Sequence, residues 1–238
     1  MRTPPNTSLL DIAKALGTDV LPPGPAPAGG GLTVSPDGPP APLRYFTWAY
    51  DGDAAGVVYA AAYAAIATPV RALRSSNSMG SPGDLIDRTA QNTYTNSEFG
   101  AWAALDLGVG FPLNPTRYSL RNRSDGPGNI IRSWNLQGST DVGEWSVAGI
   151  NAATWTDLDR RTNDASLTFS DQWGHWDVTA QPNAYRYIRI IMTGPESSGN
   201  WYLTIDEIEL YGVVTLAPNL PSGATGWLTD GTHYVPYY

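Results

Sequence analysis

The sequence predicts an all-β fold, an antiparallel β-sandwich of the jelly-roll kind, with a short N-terminal helix and extended arms. Three observations carry this. From residue 43 onward the chain is a series of short apolar runs bounded by Gly, Pro, Asn, Asp or Ser, among them VRALRSS, AWAALDLG, TRYSLRN and SWNLQGS. Several alternate with a period of two; YRYIRIIM sets Tyr185, Tyr187 and Arg189 opposite Arg186, Ile188 and Ile190. The stretch SSGNWYLTIDEIELYG (197–212) alternates at Trp201, Leu203 and Ile205, then changes phase to Ile208 and Leu210. A parity switch inside a strand predicts a bulge around Asp206 and Glu207.

In chain order, residues 1–20 hold the helix, the sequence NTSLLDIAKALG (6–17). Leu9, Ile12, Ala13 and Leu16 recur at helical spacing, Thr7 or Ser8 can cap the start, and Gly17 can end it. So short a helix needs a surface to pack on, its own domain or another subunit. Residues 21–42 contain eight Pro and five Gly and are expected to be a linker or surface-hugging arm. Residues 43–213 form the sandwich. Within it the Ala-rich run 59–67 has helical propensity, with Tyr59, Tyr63 and Ile66 on one face. Residues 214–238 form a tail with Trp227, Tyr234, Tyr237 and Tyr238, one acid and no Lys or Arg; its aromatic content predicts that it packs.

Composition excludes several classes. Fourteen basic against 22 acidic residues give a net charge of −8, opposite to the footprint of a nucleic-acid binder. There are no cysteines, so disulfides and thiolate metal sites are absent, and His175 and His233 are too far apart for a local zinc spacing. The most apolar run, 54–67, is shorter than the ~20 residues of a spanning helix, so no membrane insertion is expected. The first residues lack the apolar core of a secretory signal.

The ordered series AWAALDLG (101–108), TRYSLRN, RSWNLQGSTD (132–141), ATWTDLDRRTNDASL (153–167) and AYRYIRIIMTGPESSGNWYLTIDEIELYG (184–212) resembles the discoidin-like domain of coagulation factors, a galactose-binding-like sandwich. It looks closest to the branch found in HECT-type ubiquitin ligases and BTB proteins, whose opening FTWAYDGDAAGVVY (46–59) also matches. The resemblance covers residues 43–213. It implies a non-enzymatic binding module in which the last strand closes the sandwich beside the first. Leu210 and Tyr211 would then secure the seam, Gly212 would permit the turn out, and the acids of that strand would face solvent or a loop. WSVAGINAATW (145–155) is longer than the family's hairpin at that place.

No nucleophile elbow, P-loop or His-Glu-x-x-His occurs, and no enzyme is expected. Sandwiches of this kind receive ligands on the loops at one end, and three loops have suitable chemistry: 74–88, 121–132 and 170–176. Sugar recognition needs an aromatic platform and planar polar groups for the hydroxyls. Trp173 and His175 could supply the platform, and Arg74, Asn77, Arg121 and Arg123 the polar groups, with Trp176 expected in the core. Structural local ion pairs are the competing reading of the arginines. Related galactose-binding-like domains often hold a structural calcium, and Asp51, Asp53 and Glu209 are oxygen ligands of the right type. No other cofactor is expected.

Three functions fit. The layout of anchor helix, linker, sandwich and aromatic tail favours a bacteriophage virion protein, a capsid or tail decoration or fibre. It would contact other virion proteins through its N-terminal arm and C-terminal tail, display the module toward a surface glycan, and assemble as a homo-oligomer, expected to be a trimer. The resemblance to ligase-associated domains implies an intracellular protein-binding adaptor. A carbohydrate-binding module of a bacterial glycosidase is the third.

Overall fold

The computed structural model describes residues 70–215 except 109, 110, 126, 127 and 180, together with Gly56, Val58 and the backbone of four outlying strands. The helix expected at 6–17 and the Ala-rich run 59–67 lie outside the described residues. The chain divides into two compact units, Met1–Pro42 with Ala217–Tyr238, and Leu43–Leu216.

In the smaller unit, β1 (Thr33–Ser35) pairs antiparallel with a strand at Gly226–Thr229, which pairs with a further strand at Tyr234–Tyr237. The arm expected to lack regular structure therefore contributes a strand. Thr33 and Val34 are a β-branched pair between the Gly-rich run and Pro36, which gives local strand preference within a stretch whose overall composition argues against it.

In the larger unit the strands are β2 (Leu43–Phe46), β3 (Arg71–Arg74), β4 (Trp102–Asp106), β5 (Leu113–Asn122), β6 (Trp134–Ser139), β7 (Thr156–Arg161), β8 (Trp173–Asp177), β9 (Tyr187–Met192) and β10 (Ile205–Thr215). They form a four-stranded sheet, β2-β10-β5-β8, and a five-stranded sheet, β3-β4-β9-β6-β7, antiparallel throughout. One apolar core lies between them. Ala103, Leu105, Leu136, Ile188 and Ile190 come from the five-stranded sheet and Tyr118, Leu120, Ile208 and Leu210 from the four-stranded one. The fold is the expected all-β sandwich, and β10 lies beside β2 as the resemblance implies.

The expected bulge is present as a register shift between Ile205 and Glu207. Ile205 and Ile208 both enter the core, so the extra residue turns Asp206 and Glu207 together to the outer face. Of the two surroundings expected for those acids, solvent or a loop, the structure has the second: Asp206, Glu207 and Glu209 are all buried, with Gln91, Val58 and Arg88 brought over them. The strand also does not end at Gly212. A second register shift falls between Tyr211 and Gly212, and pairing continues to β2 through Thr215. Gly212 (φ +151°) is needed for close approach, because a Cβ there would lie 2.1 Å from the Asn114 carbonyl oxygen.

The long β6–β7 connection explains its length by what it covers. Residues Val147–Ala152 form α1, whose N-cap Ser146 accepts a hydrogen bond from the Gly149 N–H at 3.1 Å. The connection buries Val142 and Ile150 with Trp102, Ala104 and Tyr187 as a second apolar cluster on the outer face of the five-stranded sheet. Trp145 stacks on Tyr187 at 5.9 Å, and the Trp155 indole N–H donates to the Ile150 carbonyl at 2.9 Å. Burial of Ile150 sustains a six-residue helix that would not form in isolation. Ser146→Ala is expected to cost about 1 kcal/mol, the usual worth of an N-cap, read as a lowered urea midpoint with unchanged slope.

Candidate functional site

The outer face of the four-stranded sheet carries three rows of paired residues: Glu207–Arg121–Trp173, Glu209–Ser119–His175 and Tyr211–Arg117–Asp177. Trp173 and His175 thus belong to strand β8 and not to a loop. The W-G-H-W-D alternation was hidden by Gly174, which is inward and small because a Cβ there would lie 2.4 Å from the Trp176 ring. Trp176 is in the core, as expected. His175 Nδ1 pairs with the Ser119 hydroxyl at 2.6 Å, and the Arg88 guanidinium lies 5.2 Å over the Trp173 ring. Arg121 reaches Asp171 at 2.7 Å and Asp206 at 3.7 Å.

This face is a buried charge network. Glu209 accepts from the Val58 and Leu210 backbone N–H groups at 2.7 and 2.9 Å and is ion-paired to Arg88. Glu207 has no hydrogen-bond partner on either oxygen among the described residues. Burial raises its pKa to about 8, helped by Asp206 and Asp87 and opposed by Arg88 and Arg121. Burial likewise raises Asp206 to about 7; the Gln91 N–H and Arg121 oppose the shift, and Asp171 and Asp87 add to it. Two adjacent carboxyls therefore hold protons near neutrality.

The calcium reading finds no donor set here. Asp51 and Asp53 lie outside the described residues, and Glu209 is occupied by a guanidinium and two N–H donors. Glu207 and Asp206 are approached by Arg88 and Arg121, charges of the wrong sign for a cation. Among the described residues no three acidic or imidazole side chains are placed to hold a metal ion.

Arg74 and Asn77 form a separate structural unit. Arg74 is buried; its Nε donates to Asn77 Oδ1 at 3.0 Å and its terminal nitrogens to Thr93 and the Met79 carbonyl. It holds 77–79 against 93 and is not open to a ligand.

At this end of the sandwich the 75–101, 123–133, 162–172 and 193–204 connections gather; of the expected residues on them, Asn77 is taken up by Arg74, and Arg123 stands beside an aromatic ring. Its guanidinium lies 5.1 Å over the Tyr94 ring, pairs with Asp125 at 3.1 Å and approaches Asn92 Oδ1 at 3.4 Å. Asn92 in turn donates to Asp125. Tyr94 meets Tyr202 edge to face, ring centres 5.6 Å apart. On the 123–133 connection Asn129 accepts from the Ser198 hydroxyl at 2.6 Å, and its carbonyl accepts from the hydroxyl of Thr204, two residues beyond Tyr202.

Sequence dictates this geometry locally. In GPESSGN the buried Glu196 carboxylate accepts from the backbone N–H groups of Ser198 and Asn200 at 2.6 and 3.0 Å, with Gly199 at φ +90° closing the turn. The Thr95 hydroxyl accepts from Leu203 N–H at 3.0 Å and the Arg123 N–H donates to the Thr204 carbonyl at 3.2 Å, which fastens 94, 123 and 202 to one another. The result is a partly exposed aromatic pair beside a guanidinium that is joined to a carboxylate and an amide, with Asn129 and Ser198 on the adjoining connections. Asn92, Tyr94, Asp125, Asn129 and Tyr202 are the site residues that sequence reasoning passed over, although Asp125 and Asn129 lie in one of the loops it selected.

No family model matches the chain. Among curated proteins it is 33% identical over 132 residues to the E3 ubiquitin-protein ligase Ufd4 of Drosophila melanogaster, covering 54% of this chain and 4% of that protein. It is 32% identical over 122 residues to the BTB/POZ domain-containing protein At2g30600 of Arabidopsis thaliana, 49% of this chain and 14% of that one. The chain thus spans a small part of the curated relatives it matches. Similar solved structures include CpGH89CBM32-5 from Clostridium perfringens in complex with GalNAc-β-1,3-galactose, with 13% identity, TM-score 0.47, and 60% and 95% of the two chains covered. Another is the lectin domain of lectinolysin complexed with Lewis B antigen, with 20% identity, TM-score 0.45, and 60% and 92% covered. Over about half its length the chain is thus similar to segments of E3 ubiquitin-protein ligases and of a BTB/POZ domain-containing protein, and its fold is an antiparallel β-sandwich.

Proposed function

We propose that this chain is a non-catalytic carbohydrate-binding module that holds a neutral pyranose at its loop end. The observation that carries this is the Tyr94–Tyr202 pair beside Arg123, whose guanidinium is joined to Asn92 and Asp125, with Asn129 fastened to Thr204 on the next connection. An aromatic face takes the apolar side of a sugar ring, while amide and carboxylate groups around it pair hydroxyls. The setting we put forward is a module of glycan-degrading machinery. The ligand chemistry supports sugar binding, whereas no relative reported above is a virion protein. A protein-binding adaptor is the second reading, favoured by the ligase and BTB/POZ relatives.

A glycan array probed with the full chain tests the proposal. Retention of neutral terminal hexoses is expected. Tyr202→Ala and Asn129→Ala, both at partly exposed positions, are each expected to weaken binding about tenfold or more, a loss of at least ~1.4 kcal/mol. An array silent for the wild type, or variants that bind as well as it does, would overturn the sugar reading and leave the adaptor.

A further inference from the structure

The 95–101 segment and α1 leave a groove of about 430 Å³ on the outer face of the five-stranded sheet. Trp102 and Ile191 line it, with Phe99 and Val147 among its other walls. Phe99 is 83% exposed, the highest value among the described large apolar side chains, and Val147 is 39% exposed. Isolated apolar exposure needs no explanation, but two such side chains on one groove do. The Phe99 ring is also held in place: it lies 4.7 Å from Trp201, tilted by 50°, and Trp201 packs against the main core.

Trp201 immediately precedes Tyr202. The 201–202 dipeptide therefore serves two aromatic pairs, Tyr94–Tyr202 at the loop end and Phe99–Trp201 at the groove. The segment that carries Tyr94, Glu98 and Phe99 is tied to 201–203 by the Thr95 N–H on the Leu203 carbonyl at 3.3 Å and the Glu98 N–H on the Trp201 carbonyl at 3.4 Å, so one pair of chain segments carries both sites.

The polar groups there suit hydroxyls. Arg189 donates through Nε to Gln137 at 2.7 Å and is supported by Trp155, 4.2 Å from its guanidinium; its terminal nitrogens have no partner among the described residues. Asn151 accepts from the Trp102 indole N–H at 2.9 Å, which leaves its amide N–H groups to donate. Glu98 uses one oxygen on the Ser76 hydroxyl at 2.7 Å and retains the other as an acceptor. One guanidinium and one carboxylate give the groove no net charge, which selects against an acidic ligand. Single rings separated by planar polar groups fit a chain of sugars better than a peptide segment, whose anchors would need contiguous apolar pockets.

We propose that this groove is an extension subsite for a neutral oligosaccharide whose terminal residue occupies the Tyr94–Tyr202 site; this rests on the carbohydrate-binding reading. The module then recognises a chain, not only its end, and the insertion carrying α1 supplies one wall of the specificity.

Calorimetric titration of the full chain with galactose and its β-1,4-linked dimer, trimer and tetramer tests this. Affinity is expected to rise at least about tenfold from galactose to the tetramer. Phe99→Ala is expected to remove that rise and leave the galactose affinity unchanged, while Tyr202→Ala weakens every member of the series. Because Phe99 is so exposed, its variant should unfold at the wild-type temperature, which a thermal melt checks. Galactose binding with no dependence on length, or a length dependence that survives Phe99→Ala, would overturn the extension subsite and leave the terminal-sugar site standing. Failure of the wild type to bind any of the four, together with a silent glycan array, would overturn both.

Discussion

Glu207→Gln is expected to stabilise this protein at pH 8 and to leave it nearly unchanged near pH 4.5. The reason is the direction of the shift. A carboxyl whose folded pKa lies above its unfolded value holds a proton in the fold that the unfolded chain has already released. Stability therefore falls as pH rises from the unfolded value near 4 through the folded value, about 8 for Glu207 and about 7 for Asp206. The decline is about 1.4 kcal/mol per pH unit for each group inside that window. Asp106 acts in the opposite sense at lower pH. Burial would raise it, yet hydrogen bonds from Arg186, Arg71 and the Gly108 N–H hold it below the ordinary carboxylate range, so its contribution is lost only in stronger acid. The melting temperature should therefore peak in mild acid and fall toward pH 8. Removing the Glu207 ionisation should recover about 10–20 °C at pH 8, from about 5 kcal/mol over that window at roughly 2–4 °C per kcal/mol for a chain of this size. If the variant keeps the wild-type slope between pH 5 and pH 8, the buried acids are not its source.

Those acids also mark where the sequence stopped being legible. The bulge could be read, because Ile205 and Ile208 cannot both face the core unless the strand gains a residue between them. What covers the outer face could not. Period two assigns Asp206, Glu207 and Glu209 to the side away from the core, and solvent is the default there. The backbone at Gly56 and Val58 and the side chain of Arg88 instead close over Glu209, from as far as 151 residues away in sequence. The same limit applies at the candidate site. Arg123 could be picked out as a residue type in a suitable loop, but its partners Asn92 and Tyr94 arrive from another connection, and Tyr202 stands in a run read as strand. Trp173, His175 and Arg121 have the right chemistry for sugar and the wrong neighbours: Arg121 is tied to Asp171, His175 to Ser119, and the Trp173 ring lies under Arg88. Strand alternation reports which way a side chain points relative to its own sheet. It carries no information about the loop that will lie on it.

Trp134→Ala is expected to cost about 3–5 kcal/mol, the range for removing a large aromatic from a packed core. Trp134, on the five-stranded sheet, meets Trp176 of the four-stranded sheet edge to face at 5.0 Å, and Trp176 stacks on Tyr118 at 5.2 Å. The three rings thus join the sheets across the core. A polar relay runs through them: the Trp134 indole N–H donates to Tyr118 Oη at 2.9 Å, Tyr118 donates to Asp159 at 2.7 Å, and Arg161 pairs with the same carboxylate oxygen at 2.7 Å. Burial first, and then Asp159, push the Tyr118 phenol upward, so it stays a donor throughout the accessible pH range. Ring and relay can be separated. Trp134→Phe keeps an aromatic ring and removes the indole donor, and should cost less than the alanine variant. Tyr118→Phe leaves the indole N–H buried without its acceptor, a penalty of about 1–3 kcal/mol. Once the acceptor is gone the donor has nothing further to lose, so the Trp134→Phe/Tyr118→Phe double variant should fall short of the sum of its singles by more than ~0.5 kcal/mol in urea unfolding. Strict additivity would mean that the hydrogen bond contributes nothing and that packing of the three rings alone holds the two sheets together. A Trp134→Phe loss as large as that of Trp134→Ala would instead assign the stability to the indole's size and its contact with Trp176.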